Sequence, residues 1–83
     1  MTLPEIINLI LKERYKSIQK FGVNNWAPIE WLPILIEEVG EVSKEICEGY
    51  FKDYYPEDKN RKERLKKEIV QVAAVCVKML ETI

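Results

Sequence analysis

A group of glutamates inside an apolar stretch is the part of this sequence best suited to chemistry. Residues 37–41 read Glu-Glu-Val-Gly-Glu, with apolar residues on both sides. On a helix, residues three or four apart share a face, so Glu38 neighbours Glu41 and Glu37 lies one turn from Glu41. Such like charges repel each other, and a hard cation such as Mg²⁺, which binds carboxylate oxygens, removes the repulsion. A metal site and a solvated helix face both fit this spacing.

The helical periodicity around these glutamates places Glu38 at the edge of an apolar stripe. At 100° per residue, Glu38 borders this stripe, while Glu37 and Lys44 lie nearly opposite it. Gly40 in mid-helix costs roughly 0.5–1 kcal/mol relative to Ala, so we expect a neighbouring helix or a ligand close to its backbone. The stripe consists of Leu32, Leu35, Val39, Val42 and Ile46.

Composition predicts one small domain that gains stability by oligomerisation. The chain has 83 residues, of which 47% are apolar, and a net charge of −1. A single core of this size rarely supplies more than about 3–5 kcal/mol, and oligomerisation is a common remedy. The sequence has no basic stripe, so a nucleic acid polymer is not expected as a partner. Because no apolar run reaches about 18 uncharged residues and no signal-peptide pattern is present, we expect a cytoplasmic protein without a membrane partner.

The absence of histidine excludes several classes of site. Ser-His-Asp and Cys-His nucleophiles, histidine-type zinc sites and the Glu-x-x-His ligands of di-iron bundles all need that residue. Cys47 and Cys76 each have apolar neighbours, which predicts buried free thiols, with a disulfide as the lesser alternative. Chemistry in this chain therefore depends on carboxylates, lysines, arginines and a metal.

Three helices are expected along the chain. Thr2 followed by Glu5 is a capping box with Pro4 in the first turn, and the first helix should end near Gly22. Residues 22–31 form a loop, and the second helix should span about 31–48, with Pro33 in its first turn. After a second loop, the third helix should span about 60–82. The fold class predicted is all-α, with a single domain over residues 1–83.

The third helix carries an apolar arc that exceeds half its circumference. Such a helix is buried on more than one side, so we expect a helical-bundle dimer or tetramer with this helix at the interface. Glu68 lies at the margin of the arc, and Gln71 lies on a narrow polar strip with Lys67 and Lys78. The inner stripe should contain Leu65, Ile69, Val72, Ala73, Cys76, Leu80 and Ile83.

Arg14 lies in the middle of the apolar stripe of the first helix. Its stem can pack while its head reaches water, or its guanidinium can pair with a core-facing carboxylate such as Glu68 or with a phosphate. A charge in that position is costly without a partner, and both interpretations stay open. The stripe around it contains Leu3, Ile7, Ile10, Leu11, Ile18 and Phe21.

The order of these motifs resembles a known enzyme family. Glu37-Glu38-x-x-Glu41, followed on the next helix by Glu68-x-x-Gln71, is similar to the E-E-x-x-E and E-x-x-D helices of the MazG-type all-α nucleoside triphosphate pyrophosphatases. Further similarity lies in residues 13–22, in Trp31 to Leu35, and in residues 68–75, which look like a branch of short MazG-like proteins.

This resemblance implies a Mg²⁺-dependent hydrolase that splits nucleoside triphosphates into a monophosphate and pyrophosphate. It implies Glu38, Glu41 and Glu68 as metal ligands and Glu37 as the group that orients or deprotonates the attacking water. Gln71 stands where the family has its fourth ligand, an Asp. An amide oxygen binds a hard cation but adds no charge.

Basic and aromatic residues complete the expected site. Arg14, Lys20 and Lys44 are candidates for phosphate contacts. Trp31 and Tyr50 are candidates for stacking on a base, although Trp31 beside an apolar run is more typical of a core residue. The alternative function is a catalytically silent MazG-like oligomer that binds nucleotide or a protein partner, and the glutamine at position 71 favours it.

Overall fold

The fold consists of three α-helices connected in sequence. A computed structural model describes residues 1–51 and 60–83, with only the backbone at 50 and 51. The helices are α1 (Leu3–Phe21), α2 (Pro28–Phe51) and α3 (Arg61–Glu81). The described residues contain no strand, which confirms the all-α prediction. No described helix is both long and apolar enough to cross a membrane.

The ends of α1 follow the signals in the sequence. The Thr2 hydroxyl accepts the Glu5 backbone N–H at 3.4 Å, and the Glu5 carboxylate accepts the Thr2 backbone N–H at 3.3 Å, which together form a capping box. At the other end, Gly22 has a φ of 74° and donates its N–H to the carbonyl of Ile18 at 2.8 Å. Glycine adopts that backbone conformation without a steric penalty.

The second helix begins earlier and ends later than the sequence predicted, at Pro28 and Phe51. Pro28 is suited to the first helical position because its missing N–H needs no partner there. The Glu30 carboxylate then accepts the Ala27 backbone N–H at 3.1 Å, which fixes this earlier start. Pro33 consequently lies inside the helix, where it removes one backbone hydrogen bond.

The third helix is the element on which the other two pack. It contacts α1 and α2, whereas no Cα atom of α1 lies within 8 Å of one in α2. Two side chains fasten α2 to α3: Arg64 pairs with Glu45 at 3.3 Å, and Arg61 donates to the carbonyl of Gly49 at 3.2 Å. Since α1 and α2 are held apart, a cleft floored by α3 lies between them.

Little apolar surface is fully buried within the protomer. Trp31, Ala74 and Val75 are the buried apolar residues of the described part of the chain. The accessible surface is 6578 Å², against about 5200 Å² for a compact monomer of this mass. The protomer therefore exposes much more surface than a chain of this size normally does.

The packed face of α3 differs from the predicted inner stripe. Ala74 and Val75 are buried, while Leu80 is 71% exposed and Ile83 88% exposed. Small side chains such as Ala74 let two neighbouring helices approach closely, so α1 and α2 pack on the side of α3 that carries Ala74. Ile69 and Cys76 of the predicted stripe are also exposed, as is Cys47. The expectation of buried thiols was wrong, and both cysteines are free.

The apolar stripes of α1 and α2 are also only partly covered. The inward face of α2 consists of Trp31, Ile34 and Glu38. Consequently Leu32, Val39 and Ile46 of the predicted stripe are exposed. Apart from its own helix backbone and chain neighbours, no atom of the described residues lies within 4 Å of a Cβ built on Gly40, so the described part of the protomer does not supply the expected close neighbour. On α1 the exposed members of the predicted stripe are Leu3, Ile7, Leu11 and Phe21.

Candidate functional site

The cleft between α1 and α2 is a cavity of about 610 Å³, within the usual range for small-molecule sites. Its walls combine cations, two carboxylates, two amides and aromatic rings. The cationic lining residues are Arg14, Lys16, Lys20, Lys67 and Lys78, the carboxylates Glu13 and Glu38, the amides Asn24 and Gln71, and the aromatic residues Phe21, Trp26 and Trp31.

Arg14 forms one wall of the cavity and is only 7% exposed. Its guanidinium pairs with both carboxylate oxygens of Glu81, through Nε to Oε1 and through NH2 to Oε2 at 3.1 Å. Of the two sequence interpretations, the ion pair is therefore correct, although the partner is Glu81 rather than Glu68. The hydrogen bond from Arg14 lowers the pKa of Glu81. This fork joins α1 to the C-terminal end of α3.

Lys78 places a second cation close to Arg14 without an ion pair. Burial, and then the positive charge of Arg14, lower the pKa of Lys78. Its ammonium lies 5.8 Å from the centroid of the Trp31 ring, a distance compatible with a cation–π contact. In the described part of the chain Lys78 has neither a hydrogen bond nor a salt bridge within 4 Å. The cavity thus contains a half-buried positive charge that an anionic ligand would neutralise.

A hydrogen bond between α1 and α3 crosses the cavity wall. The side-chain nitrogen of Gln71 donates to Glu13 Oε1 at 2.8 Å in a partly buried position. Lys67, Gln71, Ala74 and Lys78 recur at helical spacing on the α3 face that lines the cavity. The polar strip noticed in the sequence therefore faces this cavity. Among the described residues, Gln71 on this strip has a carboxylate partner on α1, Glu13.

Of the predicted carboxylates, Glu38 lines the cavity, whereas Glu37, Glu41 and Glu68 do not. Glu38 and Glu68 are half-buried, and Glu37 and Glu41 are exposed. Burial raises the pKa of Glu38, and the negative charges of Glu68, Glu37 and Glu41 raise it further, in that order. The electrostatic coupling joins the four glutamates of α2 and α3 into one acidic environment.

The side chains as placed do not form a compact ligand set. Among residues 1–51 and 60–83, no three acidic or cysteine side chains lie close enough to hold one metal ion. The structure brings Arg14, Lys20, Trp31, Glu38 and Gln71 into the lining of the cavity. It does not bring Lys44 there, since that side chain is exposed on another face of α2. The side chain of Tyr50 lies outside the described residues.

Trp31 serves mainly as a core residue. It is 4% exposed, and its ring meets that of Trp26 at a centroid distance of 4.6 Å and an angle of 45°. Its indole nitrogen is buried without a hydrogen-bond partner among the described residues. Trp26 is 37% exposed, so it offers the more accessible ring. A ligand in the cavity can therefore stack on Trp26, which is more accessible than Trp31.

Sequence reasoning did not identify Glu13, Trp26 and Lys78 as residues of this site. A signal was present for Lys78, because it lies seven residues after Gln71 and shares its helix face. The sequence placed Lys78 on the same polar strip as Lys67 and Gln71 but assigned no role to it. Trp26 lies in a loop, where periodicity gives no information.

Comparison of the chain with family models, with curated proteins and with solved structures found no match.

Proposed function

We propose that this protein is a Mg²⁺-dependent nucleoside triphosphate pyrophosphatase of the MazG type, which releases a monophosphate and pyrophosphate. The observation that carries the proposal is Glu38, a half-buried carboxylate whose pKa is raised by burial and by Glu68, Glu37 and Glu41. A carboxylate in that environment favours any cation that relieves the repulsion. It also lies on the wall of a cavity whose other charged groups are mainly basic.

The donor set fits a hard cation at three of its four expected positions. Glu38, Glu41 and Glu68 would hold the ion, and bound Mg²⁺ would neutralise phosphate charge and lower the pKa of a water nucleophile. At the fourth position, the side-chain nitrogen of Gln71 donates to Glu13, and its amide oxygen would be the atom that binds a cation.

The remaining groups of the cavity would hold the nucleotide. Lys20 is exposed beside the ring of Phe21, with its ammonium 5.1 Å from the ring centroid, and Lys78 is half-buried without an ion pair among the described residues. In this proposal both contact phosphate oxygens. Arg14 forms a bidentate pair with Glu81, so in this proposal it fixes the wall of the cavity rather than binding phosphate. Glu37, which is exposed, would orient the attacking water.

We further propose that protomers assemble into a dimer or tetramer through the uncovered faces of α2 and α3. Leu80 on α3, Ile83 just after its end, and Leu32, Val39 and Ile46 on α2 are large apolar residues with high exposure. Burying them would compensate for the small core of the protomer. It would also bring a second copy against Gly40, whose surface is open among the described residues.

The experiment is a turnover screen of purified protein with nucleoside triphosphates, Mg²⁺ and detection of pyrophosphate. Wild-type protein should release pyrophosphate only with Mg²⁺, and Glu38→Gln should lose that turnover. Glu48→Gln is the matched control, because it removes a half-buried carboxylate of the same helix outside the cluster. Absence of turnover with every triphosphate would overturn the proposal.

A second candidate function is that of a silent oligomer that binds nucleotide or a protein partner without hydrolysis. The hydrogen bond of Gln71 to Glu13 favours it, because it draws position 71 away from the metal set. The two candidates separate in the same screen when nucleotide binding is measured alongside turnover. Binding without pyrophosphate release, with and without Mg²⁺, would support the second.

A further inference from the structure

The Glu13–Gln71 pair has hydrogen-bonding capacity that the protein itself does not use. Gln71 donates one N–H to Glu13 Oε1, which leaves the second carboxylate oxygen of Glu13 without a protein partner among the described residues. A carboxylate accepts about four hydrogen bonds through its two oxygens. The bond from Gln71 fixes the position of this carboxylate on the wall of the cavity. A fixed acceptor with free lone pairs is a recognition group for a ligand rich in N–H donors.

The same cavity has an aromatic wall for a flat ligand. Phe21, Trp26 and Trp31 line it, and Phe21 and Trp26 have exposed ring surface. Planar heterocycles stack on such rings. The unpaired ammonium of Lys78 and the exposed Lys20 supply positive charge in the same space. A ligand with a planar ring, a donor-rich edge and an anionic group matches all three features.

We propose that Glu13, held by Gln71, reads the edge of a guanine base, and that the cavity therefore selects guanine nucleotides. Guanine presents two adjacent donors, N1–H and the 2-amino group, which a carboxylate accepts together. Its neighbouring O6 is an acceptor that the lysines of the cavity can meet. This inference deepens the proposed function, since it assigns the base of the nucleotide that the same cavity would take.

The other bases do not fit a carboxylate in this way. Adenine and cytosine each place a ring-nitrogen acceptor beside their exocyclic amine, so the carboxylate would face a lone pair. Uracil and thymine offer one N–H between two carbonyl oxygens, which repel a carboxylate on both sides. A bidentate contact with the correct base is typically worth roughly a 5- to 150-fold preference in binding.

Binding can be measured without turnover because both tryptophans of the chain line this cavity. Tryptophan fluorescence is titrated with GMP, AMP, CMP, UMP and IMP in the absence of added metal. We expect GMP to bind roughly 5- to 150-fold more tightly than AMP, CMP or UMP. IMP lacks the 2-amino group, so it should bind more weakly than GMP to the unaltered protein. Equal binding of GMP and IMP would overturn the inference without any mutation.

Two variants test the role of the carboxylate. Glu13→Gln keeps a side chain that can still bond Gln71 but replaces one acceptor oxygen by a donor, so the preference for GMP over AMP should fall to near unity. The matched control is Glu63→Gln, which removes an exposed carboxylate of α3 that is paired with Lys66 at 3.1 Å outside this cavity. It should retain the full preference. A preference for GMP that survives Glu13→Gln would also overturn the inference.

Failure of this inference and failure of the proposed function give different results. If the wild-type protein hydrolyses all four triphosphates and binds the four monophosphates equally, the pyrophosphatase proposal stands and base reading by Glu13 is wrong. If GMP is preferred through Glu13 but no triphosphate is hydrolysed, base reading stands and the pyrophosphatase proposal is wrong.

Discussion

Exchanging the two partners of the Glu13–Gln71 hydrogen bond tests quantitatively how α1 is fixed to α3. Gln71→Glu replaces the donor with a carboxylate at a site where the two side chains are 2.8 Å apart. The lost hydrogen bond to a charged group is worth about 1.5–3 kcal/mol. Two like charges at 4 Å add up to about 4 kcal/mol at an effective dielectric constant of 20. Because both side chains are half-exposed and can move apart, we expect a net loss of about 2–3 kcal/mol.

Thermal unfolding at fixed protomer concentration measures this loss. For a domain of this size 1 kcal/mol corresponds to about 4–8 °C, so Gln71→Glu should lower Tm by about 10–20 °C at pH 7. Glu13→Gln alone retains an uncharged hydrogen bond and should cost about 1 kcal/mol or less. The double variant restores an amide opposite a carboxylate and should return most of the stability.

Additive losses of stability in the double variant would refute this reasoning. If the double variant loses as much stability as the two single variants together, positions 13 and 71 are not coupled. The helices would then be held by their apolar contacts and by the Arg14–Glu81 pair alone. Near-complete recovery in the double variant, with a coupling energy of about 2 kcal/mol, would support the described hydrogen bond.

Three further outcomes are expected. Glu81→Gln should lower Tm at neutral pH. Because the pair with Arg14 lowers the pKa of Glu81, the difference in Tm between wild type and variant should be full above the usual glutamate pKa and should be lost as the pH falls through the lowered pKa of Glu81. Without metal, Glu38→Gln should raise Tm at neutral pH, since the raised pKa of Glu38 means that its ionisation costs stability as the pH increases. The same variant should abolish the rise in Tm that millimolar Mg²⁺ gives to the wild-type protein. A Mg²⁺ response that persists in the variant would contradict the metal proposal. Light scattering should show a dimer or tetramer at micromolar concentration, and Leu80→Asp should dissociate it, whereas a monomeric wild-type protein would refute the assembly.

The sequence predicts the elements of this fold better than it predicts their faces. Capping signals such as Thr2, Glu5 and Gly22 act locally, and the bounds of α1 and α3 were accordingly close to those observed. Periodicity identifies an apolar stripe but not which neighbour covers it. On α3 two helices pack on the side of Ala74, while the larger stripe that includes Leu80 is only partly covered, and no local rule chooses between these faces.

The candidate site shows the same limit. Neighbours along a helix, such as the glutamates from 37 to 41, are set by helix geometry and could be placed from the sequence. Contacts between helices, such as Glu13 with Gln71 and Arg14 with Glu81, depend on the rotation of each helix about its axis. Their sequence separation is large, so these pairings could not be inferred without the tertiary arrangement.

Because α1 and α2 each pack on α3 and do not approach each other, the order of synthesis has a consequence for folding. The first two helices leave the ribosome before the surface that they pack on exists. Most helical stability in proteins comes from tertiary packing of an amphipathic face, and neither helix can bury its apolar stripe on α3 until α3 has emerged. The chain should therefore gain its structure late and all at once, and a translation stop within α3 should leave two exposed amphipathic segments that chaperones or proteases bind, rather than a smaller folded domain.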